Sequence, residues 1–233
     1  MCNRGANRVE SAGFCPISAL AQRNPIVGIG VGSAGLGVDW QIAPRISLQA
    51  VYSAGNANSP VAGAGLFNGN QSIGAQLTLA PTKTTDLAIQ YINAYSSTGD
   101  LGTGLGDSQV TFGQPINTNA IGASAAWRIT PGITLGGWTG LTRSNVQDGP
   151  GGVSTFNWMA YLNLPDFGGK GNLAGLYVGQ PPRITLSDLP SGFNVPDIGR
   201  GGLGLPSGQE NLRLMWKRFT GCALVTIFPL PPA

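Results

Sequence analysis

The sequence predicts an all-β chain of antiparallel strands with the character of a transmembrane β-barrel, about eight strands in all. Three observations carry this. Apolar residues recur at every second position in runs of about 7–9 residues, the period of a strand with one apolar face. The alternate positions hold Gly, Ala, Ser, Thr, Asn and Gln, and charged residues make up only 10% of the chain, against about 25% in an average domain. Connections between the runs alternate short and long, the asymmetry of barrels with tight turns at one membrane face and larger loops at the other.

The runs succeed one another in order. Residues 36–42 place Leu36, Val38, Trp40 and Ile42 opposite Gly37, Asp39 and Gln41. Residues 46–53 set Ile46, Leu48, Ala50 and Tyr52 against Ser47, Gln49, Val51 and Ser53. The third run, 72–79, sets Ile73, Ala75, Leu77 and Leu79 against Ser72, Gly74, Gln76 and Thr78. The fourth has Leu87, Ile89 and Tyr91 against Ala88, Gln90 and Ile92. Residues 121–129 set Ile121, Ala123, Ala125, Trp127 and Ile129 against Gly122, Ser124, Ala126 and Arg128. A weaker run covers 133–141, with Thr134, Gly136 and Trp138 opposite Ile133, Leu135 and Leu141. Residues 156–164 set Phe156, Trp158, Ala160, Leu162 and Leu164 against Asn157, Met159, Tyr161 and Asn163. The eighth run, 172–179, is apolar on both faces.

Short connections fall at 43–45, 80–85, 130–132 and 165–171, each with a proline, which cannot donate to a strand ladder. Long ones are expected at about 54–70, 94–118, 142–154 and beyond Gln180. Pro44, Pro81, Pro131 and Pro165 should therefore lie at one end of the sheet. Asn58, Gly104, Gln147 and Pro190 should lie at the other.

Composition excludes several classes. There is no histidine, which removes Ser–His and Cys–His catalysis and the common His-ligated metals. No carboxylate dyad or nucleophile–base pair has a defined spacing, so an enzyme is not expected, nor is a cofactor. A net charge of +3 is too small to indicate nucleic-acid binding. No run of about 20 apolar residues offers a membrane helix. The longest uncharged stretch, Ile46–Thr82, is interrupted by polar side chains every few residues. Gly30–Gly35 matches the dinucleotide fingerprint G-x-G-x-x-G, but the residues after it are strand-like, and no acidic residue stands about 20 positions on. Asp100 and Asp107 in a glycine-rich loop supply too few oxygens for calcium, which takes six to eight. A solvated loop is the better reading. The alternative to a barrel is a secreted, soluble β-sandwich that binds carbohydrate, whose strands also alternate.

The segments SPVAGAGLFNGNQSIGAQLTLAPT, LAIQYINAYSS, IGASAAWRITPGITLGGWTG and FNWMAYLNLPDFGGKGNLAGLYVGQPP resemble the cyanobacterial branch of the OprB-type carbohydrate-selective porins. Some members of that branch are labelled iron-uptake porins. The resemblance covers about Ala21–Gln180 and is most specific at Gly65–Gly69 and Asn157–Gly179. It implies an outer-membrane barrel of about sixteen strands, of which this chain would supply about eight. It also implies passive passage of small polar solutes such as sugars, ions or iron species. Outer-membrane lipid is then the expected surroundings, and a homo-oligomer is expected only if the complete barrel is made.

On that reading Gln49, Gln76, Gln90, Asn157 and Asn163 line the lumen, since their amides pair with hydroxyls as donor and acceptor. Arg128 belongs on the watery face, because a charge facing lipid costs about 2–4 kcal/mol at the midplane. Its place near Pro131 favours a turn-end position over a selectivity role. Trp138 falls on the same face, where it suits sugar stacking. Trp40, Tyr52, Tyr91, Trp127, Phe156 and Trp158 fall on the apolar faces and are expected to face lipid or form its interfacial girdle.

Three regions are expected. Residues 1–20 form a flank without the family's look, 21–205 the porin-like barrel segment, and 206–233 an aberrant tail. Cys2, Cys15 and Cys222 all lie outside the family-like region. Residues 1–20 lack the apolar core of a secretory signal. Read in the shifted frame, the codons of Met215–Lys217 force Val-Glu, and those of Val225–Ala233 permit a strand-and-turn sequence like Arg128–Thr134. A frameshifted or truncated copy of a porin gene is therefore expected, with a tail that does not pair in register.

Overall fold

Alternation at period two requires extended backbone, and the chain obliges throughout its middle. A computed structural model describes residues 34–61, 64–101, 112–170, 172–190 and 228–229. The strands are β1 (Ala34–Ala43), β2 (Ile46–Ala54), β3 (Gln71–Leu79) and β4 (Thr85–Ser96). They continue with β5 (Ile116–Thr130), β6 (Ile133–Val146), β7 (Gly152–Pro165), β8 (Asn172–Ser187) and a two-residue β9 (Phe228–Pro229). All nine form a single sheet in chain order, and each neighbouring pair is antiparallel. No second sheet packs against it among the described residues, which corrects the sandwich alternative. The sheet is a partial β-barrel: β1 and β8 do not pair, and β1 keeps one unpaired edge among the described residues.

An up-and-down meander places successive connections at opposite ends. Pro44, Pro81, Pro131 and Pro165 accordingly share one end, where Arg45 Nη1 donates to the Pro81 carbonyl at 3.0 Å and the Arg128 N–H donates to Thr84 O at 2.8 Å. Asn58, Gln147 and Pro190 lie toward the other end, tied there by the Gln147 N–H donating to Pro115 O at 2.8 Å. Gly104, Asp107, the three cysteines, residues 1–20 and residues 30–33 of the glycine motif lie outside the described residues.

The strict alternation of short and long connections needs correction. The connection expected over 142–154 is only the five residues 147–151, no longer than the one at 80–84. The strands outrun the apolar pattern: β4 continues to Ser96, β5 begins at Ile116, β6 continues to Val146 and β7 begins at Gly152. Ladder bonds depend on backbone alone, so a hairpin can persist after its outward side chains turn polar. The 15 residues of β5 extend about 50 Å at roughly 3.4 Å each, well beyond the 9–11 residues that cross a bilayer. β8 likewise runs on to Ser187 through Pro181 and Pro182, with register shifts against β7 between Ser154 and Trp158. The tail was expected not to pair, yet Phe228 and Pro229 pair with Leu173 and Asn172.

The two faces invert the ordinary soluble pattern. One exposes large apolar side chains, including Leu36, Val38, Ile73, Ile89, Ile121 and Leu141. The opposite face, here the inner face, buries Ser47, Gln76, Gln90, Thr118, Asn157 and Asn163. A continuous apolar surface on this scale is not stable against water in a monomeric soluble protein.

At the long-loop end the inner face turns apolar. Leu101 and Phe112 cluster there with Ile116, Val146, Val153, Ile184 and Leu189, all buried. The connection after β4, expected as a solvated loop, is therefore anchored by burial at both Leu101 and Phe112.

Asp188 locks the hairpin of β6 and β7. Arg143 Nη2 lies 2.9 and 2.8 Å from its two carboxylate oxygens, and the Gly152 N–H donates to Oδ1 at 2.8 Å. Hydrogen bonding to Arg143 is the main reason its carboxyl sits below the usual value; slight burial opposes this and the Gly152 bond reinforces it. A folded value below the unfolded one of about 3.9 makes the contribution full above that pH. It is lost as the pH falls through the folded value. Asp188→Asn is expected to cost about 0.2–1 kcal/mol at neutral pH, the range for exposed pairs. Hydrogen exchange at the Gly152 amide should accelerate accordingly, and the difference should disappear in strong acid.

Candidate functional site

The register gathers the amides. Asp39 pairs with Gln49, Gln49 with Gln76, and Gln76 with Gln90. The same row continues through Gly122 and Gly140, which carry no side chain, to Asn157. Four of the expected lumen residues therefore lie on one cross-strand line of the inner face, with a gap of two glycines between Gln90 and Asn157. Gln49 Nε2 reaches Asp39 Oδ2 at 3.4 Å, and Gln76 Nε2 donates to Thr78 Oγ1 at 2.9 Å. Gln76 and Gln90 are 4% and 3% exposed, and the side-chain carbonyl of each lacks a hydrogen-bond partner.

One row toward the turn end, Trp138 stands between Ser124 and Met159. Its ring lies 6.2 Å from that of Tyr161, tilted by 51°. Tyr161 in turn occupies the space left open by Gly136, its cross-strand partner.

Arg128 and Asn163 do not join the amide row. Both belong to the row of Thr134, six residues along β6 from Gly140, a displacement of about 20 Å. Arg128 there reaches toward the Lys83 carbonyl at 3.5 Å, in keeping with its nearness to the turn.

On the opposite face, Trp40 and Trp127 sit toward the turn end, 59% and 50% exposed. Tyr52 and Tyr91 lie toward the long loops; the Tyr52 hydroxyl bonds Gln71 Oε1 at 2.9 Å and also Leu66 O, while its ring faces Phe67. Phe156 shares the row of Ile121 and Leu141, and Trp158 shares that of Thr139. These six side chains and the lumen set thus stand on opposite faces.

A family model, carbohydrate-selective porin, OprB family, matches residues 16–188, which include all of β1–β8. The chain belongs to the OprB porin family. An uncharacterized protein of Synechocystis sp. is 35% identical over 183 residues, covering 68% of this chain and 33% of the relative. An uncharacterized Nostoc sp. protein is 27% identical over 184 residues, covering 71% and 32%. The chain thus spans about a third of the length of the curated relatives it matches. No solved structure matches it.

Two residues of this OprB wall were not singled out from the sequence. Asp39 joins the row because a register shift between Gln41 and Ala43, next to the two-residue turn at Pro44 and Arg45, sets it opposite Gln49. Hairpin counting across the turn alone would pair Asp39 with Ala50, so the sequence did not signal the pairing with Gln49. Tyr161 was placed on the correct face by alternation, but its proximity to Trp138 depends on the absence of a side chain at Gly136. Only the gap on the neighbouring strand reveals it.

Proposed function

We propose that this chain forms part of the wall of an outer-membrane porin that passes small polar solutes, carbohydrates foremost. The amide row carries the reading. Gln49, Gln76, Gln90 and Asn157 stand in register on the face opposite the apolar band. Gln76 and Gln90 are buried within the row, and half-buried Gln49 is the amide of the row that a passing solute hydroxyl can reach. Amides present donor and acceptor together, as sugar hydroxyls do. A bare cation uses acceptors alone, which favours carbohydrates over ions or iron species. The Trp138 and Tyr161 rings beside the row offer an apolar surface for the C–H face of a pyranose.

The test is fluorescence of the chain in detergent during titration with glucose. Subtracting the response of Trp138→Phe isolates Trp138 emission. A saturable change at about millimolar sugar, near −4 kcal/mol, is expected. Gln49→Leu should weaken it about fivefold, the equivalent of one hydrogen bond. No saturable change, or an equal response to potassium chloride, would overturn the reading.

A further inference from the structure

On strands β4–β7 the apolar face gives way to a polar patch toward the long loops. There, Tyr91, Ile121, Leu141 and Phe156 form its last apolar row. The next row of these strands on the same face is Asn93, Asn119, Arg143 and Ser154, flanked by exposed Ile73 on β3 and Leu186 on β8, and Asn117 and Asn145 lie beyond it. The change takes place within two residues on each of these four strands, about 7 Å.

The amides at this border hold each other in place. The Tyr91 hydroxyl donates to Asn119 Oδ1 at 2.6 Å. Asn93 Nδ2 donates to Asn117 Oδ1 at 2.8 Å and to Asn119 Oδ1 at 3.1 Å. Those bonds occupy two carbonyl oxygens and one amide nitrogen. Nδ2 of Asn117, Nδ2 of Asn119 and Oδ1 of Asn93 are left for an outside partner. Two donors and one acceptor on a fixed frame match neighbouring hydroxyl groups.

Charge decides between kinds of headgroup. Arg143 adjoins Asn119 across the β5–β6 pair, but Asp188 takes its guanidinium with both carboxylate oxygens. A phosphate gains no free cation in this row. An uncharged polyol suits it, and the apolar row beneath suits an acyl chain attached to that polyol.

We propose that Asn93, Asn117 and Asn119, with Tyr91, seat the uncharged sugar headgroup of a membrane glycolipid whose acyl chains lie on the apolar band. The seat rests on the proposed porin function, in which the apolar face meets lipid. It concerns the opposite face from the solute row.

Native mass spectrometry tests it, with the full chain in detergent and an equal mixture of monohexosyl diacylglycerol and phosphatidylglycerol with matched acyl chains. The glycolipid is expected to be retained about fivefold over the phospholipid, the equivalent of one hydrogen bond. Asn119→Leu should abolish the preference and Tyr91→Phe reduce it, with the circular dichroism of the sheet unchanged. Equal or greater retention of phosphatidylglycerol by the unaltered chain overturns the seat while leaving the lipid-facing reading intact. So does a preference that survives in Asn119→Leu. Retention of neither lipid, with the chain monodisperse in detergent-free buffer, overturns both.

Discussion

Added to a planar bilayer, the purified 233-residue chain is expected to give no stable open-pore current. The reason is the edge of the sheet. β1 pairs with β2 on one side only among the described residues, and β8 does not pair with it. About half of the ten residues of β1 then turn their N–H and C=O groups outward. In hydrocarbon each unsatisfied group costs several kcal/mol, which is why spanning sheets close. Eight strands closing on themselves would give no wide channel either, because at that number side chains fill the interior. A conducting barrel requires further strands beside β1 and β8. Stable stepwise currents from the purified chain would falsify this and would mean that the edges close on each other or on another copy.

Gly136→Val should be among the most damaging single substitutions in the sheet. A Cβ at this position would run into Cζ and the hydroxyl of Tyr161 and lie 2.8 Å from the Ala125 carbonyl. The tyrosine ring could swing aside, but the carbonyl is ladder backbone and cannot. Overpacking of this kind costs about 1–3 kcal/mol. The midpoint of urea unfolding in detergent should fall accordingly. Displacing Tyr161 should also disturb its contact with Trp138, and so the fluorescence response to glucose. Tyr161→Ala combined with Gly136→Val should recover part of the stability, since contacting residues do not add independently. A double variant no more stable than Gly136→Val alone would place the whole cost on the Ala125 carbonyl.

The sequence by itself determined the strands' existence, their faces and their order. Period-two alternation admits no other backbone for residues such as Leu36–Ile42 or Ile121–Ile129. Proline turns between such runs impose antiparallel neighbours. Alternation assigned Gln76, Gln90 and Asn157 to one face and Trp127 and Phe156 to the other, because side chains on a strand have only two directions in which to point. Family membership was legible too, in stretches such as Gly65–Gly69 that fold physics alone would not dictate. Strand ends were not legible. Beyond Tyr91 and Leu141 the outward residues become Asn93, Arg143 and Asn145, so the apolar period stops while the backbone ladder continues. What the tertiary structure alone decided was register. It set Gln49, Gln76 and Gln90 side by side, moved Arg128 and Asn163 to the turn end, and joined Arg143 to Asp188 across 45 residues. Register depends on turn geometry and bulges summed across several strands, and a one-residue change in any turn shifts every later neighbour. Periodicity within a strand carries no record of that sum.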